Sequence, residues 1–193
     1  MAAIESYEDL ILWLLYVEGK NAPFEGISGR TRLVKMIFIF EKEVKKLFSK
    51  KNLNFSEVDE FEPLHYGPFN SRIYKALDFL KSLKFISVKE RTNTNPVYEE
   101  NVYHNEDAGL IQTEIDGRFN ALEETFLITQ LGKDFVEANQ AGILSENQIE
   151  LLTKLKSKIN SMSLKSLLHY VYKNYPEQIG NSVIKEQVLG DDL

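Results

Sequence analysis

Apolar residues recur every three or four positions in several stretches of the chain, a spacing that predicts amphipathic helices. The first predicted helix begins at Ser6, which has the capping-box spacing to Asp9, and ends near Gly19. A second is predicted over residues 30–48. Its centre, LVKMIFIF, is apolar on nearly every side, so we expect this helix to lie buried in the middle of the domain.

A third helix and two strands follow in the order that is typical of a winged helix. The helix is predicted over 71–84, after a cap at Asn70 or Ser71. Its predicted buried face consists of Ile73, Ala76, Leu77, Leu80 and Leu83. The next stretch, FISVKE, alternates as a strand does, and a second strand is predicted over 124–129, leading into another helix. Residues 92–123 then replace the tight turn of the wing, and PVYEENVY within them is compatible with further strands.

The predicted fold class is mainly α with a small antiparallel β wing, in one domain over residues 1–193. Its parts are a winged-helix-like core over 1–91 and 124–142, an insertion over 92–123 and C-terminal helices over 145–190. Capping signatures at Ser145 and Ser163 mark the starts of those last helices.

Composition places the chain among globular proteins and excludes some kinds of site. The 43% hydrophobic content is ordinary for a folded domain, and the absence of cysteine excludes disulfides and thiolate metal sites. The N-terminal stretch is acidic where a signal peptide is basic, and no run reaches the roughly 18 apolar residues that cross a bilayer. We therefore expect a cytoplasmic protein that does not enter a membrane.

Negative charge is concentrated in one segment of the sequence. The net charge is −6, while residues 92–124 hold eight acidic residues against Arg118, which is −7 and leaves +1 for the rest. The acidic residues expected to meet a partner are Glu99, Glu100, Glu106, Asp107, Glu114 and Asp116. Such a segment suits a protein partner with a basic surface, for example a toxin or a nuclease.

The outward face of the third helix is the best candidate for binding nucleic acid. On this face we expect Ser71, Arg72, Tyr74, Lys75 and Lys81, whose side chains can contact phosphates or base edges. Asp78 lies in the middle of the same arc and would repel phosphate, so a solvated helix face without a partner is the competing interpretation.

The sequence contains no combination of residues that indicates catalysis, a metal or a cofactor. His65, His104 and His169 lack the spacing of metal ligands. His65 and Tyr66 resemble an acid–base pair, but packing beneath the Gly-Pro turn, with hydrogen bonds to the loop backbone, is the stronger interpretation. Two further basic residues, Arg30 and Lys35, open the second helix after GISG; they could hold an anion, or pair with carboxylates and line the mouth of that helix.

Four phrases resemble the Panacea-like antitoxin domain and its YwgA-like relatives. They are GRTRLVKMIFIFEKEV, HYGPFNSRIYKALDFLKSLKFI, FLITQLG and SLKSLLHYVYKNYPEQIGNSVIK, and the resemblance covers most of the chain apart from the insertion. The signature residues are Arg30, Lys35, His65, Tyr66, Gly67, Pro68, Tyr170, Tyr172, Tyr175 and Pro176.

This resemblance implies a winged-helix-like domain from toxin–antitoxin or phage-defence systems, which neutralises a toxin by direct contact and has no chemistry of its own. A DNA-binding transcription regulator is the alternative, since winged helices often read DNA. A homodimer through the C-terminal helices is compatible with the sequence, although no heptad pattern requires it.

Overall fold

Helices surround a small antiparallel sheet in the computed structural model, which describes residues 4–48, 61–93, 112–115, 118–139 and 142–190. The helices are α1 (Tyr7–Tyr16), α2 (Arg30–Ile39), α3 (Ser71–Ser82), α4 (Gln130–Asn139), α5 (Glu146–Asn160), α6 (Leu164–Asn174) and α7 (Lys185–Leu189). The strands are β1 (Ile27–Ser28), β2 (Glu62–Leu64), β3 (Gly67–Phe69), β4 (Ile86–Asn93), β5 (Gln112–Ile115) and β6 (Arg118–Ile128). The predicted fold class is confirmed.

The sheet has the strand order of a winged helix. Strand β1, which lies between α1 and α2, pairs antiparallel with β6, and β6 pairs with β4 on its other edge. Ile86 lies opposite Ile128 at the base of the β4–β6 hairpin, and Asn93 lies opposite Ala121 farther out. Strand β6 therefore begins earlier than the predicted strand over 124–129.

The predicted acidic surface falls largely outside the described residues. Five of its members, Glu99, Glu100, Glu106, Asp107 and Asp116, lie there, as does the PVYEENVY stretch. Glu114 is in β5, which pairs with the outer end of β6. The part of the insertion that is described thus extends the wing as sheet.

Predicted helix caps are present at four helices. Ser6 and Ser145 each form a reciprocal capping box at α1 and α5. Asn70 caps α3 by accepting a hydrogen bond from the backbone of Arg72, and Ser163 caps α6. These local signals fix where the helices begin, so the starts agree with the sequence.

The predicted second helix changes its geometry along its length. After α2 the chain continues as a π-helical turn, Phe40–Val44, and a 3₁₀ turn, Lys45–Leu47. In the wider turn the Glu43 carboxylate accepts hydrogen bonds from the hydroxyls of Tyr170 and Tyr175, at 2.7 and 2.8 Å. These contacts attach the end of this helical segment to the C-terminal part of the chain.

The buried centre of α2 is the middle of the hydrophobic core, as its sequence predicts. Residues 33–39 are buried all round, and α2 packs against α5, α6 and β3. The Arg32 guanidinium donates to the carbonyls of Ile159 and Met162, at 2.6 and 2.7 Å, and so satisfies the C-terminal end of α5. None of the helices in the described ranges is long and apolar enough to cross a bilayer.

The predicted buried face of α3 is right at four positions and wrong at the fifth. Ile73, Ala76, Leu77 and Leu80 are buried, whereas Leu83 is 41% exposed. Helix α3 ends before Leu83, and the chain turns at Lys84 with a positive φ of 59°. Phe85 consequently packs against the core from beyond the helix end.

Candidate functional site

The outer face of α3 presents charged and polar side chains to solvent, as predicted. Its exposed members are Ser71, Arg72, Lys75, Asp78, Lys81 and Ser82. Three of these are cations and one is an anion, so the face is basic but not uniformly so. This is the helix that precedes the wing, the position of a reading helix in DNA-binding winged-helix proteins.

Tyr74 does not belong to this exposed face. It is half-buried, and its ring meets Phe69 edge to face with centroids 5.2 Å apart. The guanidinium of Arg30 lies 5.3 Å from the centre of the same ring. The helical spacing placed Tyr74 on the outward arc, but β3 covers that side of α3 and removes it from any nucleic-acid surface.

An exposed apolar ridge runs along one edge of the outer face. Phe79 near the end of α3 and Leu83 just after it stand in line at four-residue spacing, and Lys75 lies one turn before Phe79. The two apolar members are 52% and 41% exposed. At helical spacing, Phe79 falls outside the predicted buried face of α3. An apolar residue at such a position is a sequence signal that could have identified the ridge.

Arg30 forms a salt bridge with Glu124, which confirms carboxylate pairing for this residue. Its Nε and Nη2 atoms lie 2.6 and 3.2 Å from the two carboxylate oxygens. Glu124 is only 6% exposed. Its charge was included in the net charge of residues 92–124, but it is not part of an exposed acidic surface. Hydrogen bonding to Glu124 raises the pKa of Arg30, and burial opposes this effect.

The turn at His65 and Tyr66 joins β2 to β3, and this hairpin rests on α6. The backbone at Gly67 has a φ of +81°, and a Cβ there would lie 2.9 Å from the Tyr172 ring. The Tyr172 hydroxyl is 2.7 Å from the Ser182 hydroxyl, which donates to the His65 carbonyl at 3.1 Å. The His65 side chain itself is exposed, so the expectation that it packs beneath the turn is wrong.

A small cleft with a volume of about 20 Å³ lies between this hairpin, α2 and α3. The polar residues that line it are Thr31, Lys35, His65, Tyr66 and Tyr74. We call this space the hairpin cleft. It brings together side chains from α2, the hairpin and α3, which are far apart in sequence.

Lys35 is the buried cation of the hairpin cleft. The residue is 2% exposed, and its ammonium donates to the carbonyl of Pro68 at 2.7 Å. Burial lowers the pKa of Lys35 to about 7. The sequence allowed either anion binding or carboxylate pairing here, and the single acceptor found among the described residues is a backbone carbonyl.

The C-terminal signature residues have structural contacts. Burial and the hydrogen bond to Glu43 raise the pKa of Tyr170 to about 12 and raise that of Tyr175 as well. Tyr172 supports the hairpin, and Pro176 opens a 3₁₀ turn, Pro176–Gln178. In the described ranges, no three histidine, aspartate or glutamate side chains form a group that could hold a metal; His104 lies outside those ranges.

Comparison with protein-family models, curated proteins and solved structures gives no match to this chain.

Proposed function

We propose that the chain is a non-enzymatic, cytoplasmic protein-binding module of the Panacea-like antitoxin or phage-defence accessory type, which acts by direct contact with a protein partner. The observation that carries this proposal is the exposed apolar ridge of Phe79 and Leu83 at the C-terminal end of α3. Aromatic side chains are enriched at protein interfaces, where an apolar centre is surrounded by a polar rim.

The ridge suits a protein better than it suits duplex DNA. Apolar side chains gain nothing from phosphate oxygens, whereas a partner with an apolar groove can cover side chains that repeat along one face of a helix. Lys75, Lys81 and Asp78 would then form a charged rim around Phe79 and Leu83.

A second contact is proposed for the acidic insertion. Its six acidic residues, from Glu99 to Asp116, would meet a basic surface such as the nucleic-acid cleft of a toxin or nuclease. The two surfaces make separate predictions, because charge mainly accelerates association while a buried apolar contact slows dissociation.

The test is to examine the neighbouring reading frames for a small toxin gene and to co-express its product with this chain, followed by growth rescue and co-purification. Phe79→Ser with Leu83→Ser should abolish both. Val183→Ser is the matched control, since Val183 is an apolar residue that is 63% exposed outside α3. Rescue by the double variant at the wild-type level would refute the ridge as the contact.

The acidic insertion is tested in the same system by deleting residues 95–121. If this segment guides a basic partner, deletion should lower the association rate and weaken its salt dependence. Unchanged rescue and unchanged salt dependence would exclude a role for the insertion.

A winged-helix DNA-binding regulator is the second candidate, favoured by the exposed Arg72, Lys75 and Lys81 on the helix before the wing. A gel shift with the chain's own promoter at two salt concentrations tests it. Binding should fall steeply with salt, and Lys75→Ala with Lys81→Ala should weaken it for all sequences alike. Lys165→Ala, at an exposed lysine of α6, is the charge-matched control.

A further inference from the structure

A cleft with a volume of about 390 Å³ lies between α6 and α7, and we call it the α6–α7 cleft. One face of α6 forms its first wall, and the chain returns through the 3₁₀ turn and α7 to form the second. The volume is within the range of small-molecule sites, about 300 to 1,000 Å³. A cavity of about 150 Å³ holds benzene, so this cleft has room for a ring and a further group.

Contacts to other parts of the domain hold the second wall in place. The Tyr172 hydroxyl is 2.7 Å from the Ser182 hydroxyl, which donates to the His65 carbonyl at 3.1 Å. The backbone N–H of Val183 donates to the same carbonyl at 3.0 Å. Ile179, at the end of the 3₁₀ turn, is only 2% exposed. The cleft is therefore framed by segments whose positions are fixed by the fold.

The ionisable side chains in the cleft are mainly basic. Lys173 on α6 and Lys185 on α7 both line it, and His169 lies one turn before Lys173. None of the described residues in its lining is an aspartate or a glutamate, and neither lysine forms a salt bridge with a described residue. The nearby acids Glu177 and Glu186 are exposed and lie outside the lining. The two ammonium groups thus leave the cleft with two positive charges that it does not itself balance.

The rest of the wall is apolar and consists of Pro176, Ile179, Leu189 and the Tyr172 ring. The Tyr172 hydroxyl is already paired with Ser182, so only the ring is available to a ligand. A ligand that suits both parts of the cleft has a doubly charged group and an apolar body. A phosphate monoester has this charge above neutral pH because its second pKa is near 6, and lysines bind phosphate as point charges.

We infer that the α6–α7 cleft binds a small phosphate monoester with an apolar body, with Lys173 and Lys185 as the counter-charges of the phosphate. A carboxylate would leave one ammonium unbalanced. A phosphate on a polar body would leave the apolar wall without a partner. The cleft is separate from the ridge on α3 and does not depend on the proposed protein partner.

Phenyl phosphate is the probe, and two compounds are its controls. Glycerol 3-phosphate has the same charged group on a polar body, and benzenesulfonamide has the ring with a neutral polar group. Binding to the full chain is followed at pH 7.5 and constant ionic strength through the backbone amide signals of a ¹⁵N-labelled sample. Phenyl phosphate should bind saturably, with a dissociation constant on the order of 0.1 mM, and shift the signals of Lys173 and Leu189. Both controls should bind at least about tenfold more weakly.

Lys173→Gln with Lys185→Gln removes the proposed counter-charges and should weaken the binding of phenyl phosphate at least about tenfold. Lys154→Gln with Lys165→Gln removes the same charge from exposed lysines outside the cleft and should leave binding unchanged. Lys173 is exposed and Lys185 is partly exposed, so the first double variant leaves the core intact.

The comparison of the three compounds needs no variant and decides independently. Glycerol 3-phosphate binding as tightly as phenyl phosphate would overturn the apolar wall, and benzenesulfonamide binding as tightly would overturn the counter-charges. The inference is also overturned if the two double variants bind phenyl phosphate alike, or if the shifts do not saturate or lie away from α6 and α7.

Discussion

Two lysines are buried among the described residues, and their surroundings differ in how the buried charge is balanced. Lys156 on α5 is fully buried, and its ammonium donates to the carbonyls of Leu15 and Val17, at 3.3 and 2.7 Å. Lys35 on α2 is buried as deeply but has only the Pro68 carbonyl.

The acceptors of Lys156 lie at the C-terminal end of α1. Carbonyls at that end of a helix lack partners within the helix and carry partial negative charge, so a cation there satisfies and balances them. The Glu25 carboxylate adds a favourable charge interaction. Burial therefore lowers the pKa of Lys156 only to about 8, with Glu25 acting in the opposite direction.

Lys35 has no comparable compensation among the described residues. The effect on its pKa comes from burial alone, and the pKa is about 7. Lys156 joins α5 to the end of α1, whereas Lys35 borders an open cleft. The same residue type thus completes a helix end in one region and leaves an unbalanced charge in the other.

The largest expected effect is a rise in stability with pH that depends on these lysines. The folded pKa of Lys35 is below the unfolded value of 10.5, so the unfolded chain holds more protons between these values and stability increases with pH. Between pH 7 and pH 10 this contribution should be about 4 kcal/mol. Urea unfolding at each pH, compared between wild type and Lys35→Met, measures it.

Lys156→Met supplies the comparison. Its contribution should begin near pH 8 and reach about 3 kcal/mol by pH 10, because the folded pKa is higher. If the free energy of unfolding changes with pH in parallel for wild type and Lys35→Met, folding does not bury the charge of Lys35. Equal onsets for both lysines would show that the end of α1 and Glu25 do not compensate Lys156.

The next effect concerns a partly buried cation, Arg30, whose carboxylate partner Glu124 is buried. Glu124→Gln leaves Arg30 without its counter-charge and should reduce the free energy of unfolding by about 3 kcal/mol. Glu150→Gln, in an exposed pair with Lys154, should change it by less than about 0.5 kcal/mol. Thermal or urea unfolding of both variants compares them, and equal losses would contradict the importance of burial.

The sequence predicted the parts of the fold that local patterns determine. The caps at Ser6 and Asn70 set helix starts, and four of the five positions that the apolar period of α3 predicted to be buried are buried. The order of helices and strands indicated the winged helix, because each element has its own period. The π-helical turn after Ile39 has no such local signal in the sequence.

The candidate sites were harder to predict because they depend on contacts distant in sequence. Lys35 lies in a stretch that is otherwise apolar, which suggested burial, but its single acceptor comes from Pro68, 33 residues away. Tyr74 was assigned to the wrong face because the helical period cannot show that β3 covers it. Glu124 was counted in the charge of the acidic segment because the sequence cannot show that it pairs with Arg30, 94 residues away.

A smaller effect is expected when a carboxylate is placed beside Lys35. Thr31→Glu puts an acid one turn before the lysine, the favourable order for such a pair on a helix. It should raise the pKa of Lys35 by about one unit, so stability near pH 7 increases by about 1 kcal/mol.

Thr31→Gln is the control of matched size, and urea unfolding near pH 7 provides the measurement. In the Lys35→Met background, Thr31→Glu should destabilise the protein, because its carboxylate then lacks a cation. Stabilisation by Thr31→Glu in both backgrounds would mean that the new acid acts elsewhere and that Lys35 is already compensated.

The smallest expected effect tests the compensation of Lys156 by Glu25. Hydrogen bonds from Asn21 and the backbone lower the pKa of Glu25 even though burial raises it, so the carboxylate is charged at neutral pH. Glu25 is partly exposed, and solvent screening should limit its coupling to Lys156 to about 0.5 kcal/mol.

Glu25→Gln also removes contacts within its own loop, so a single variant would overstate the interaction. A double-mutant cycle with Lys156→Met isolates it, and the coupling should be present at pH 7 and vanish at pH 10, where Lys156 is neutral. A coupling that persists at pH 10 would be one of packing rather than charge, and the two lysines would then differ only in their carbonyl partners.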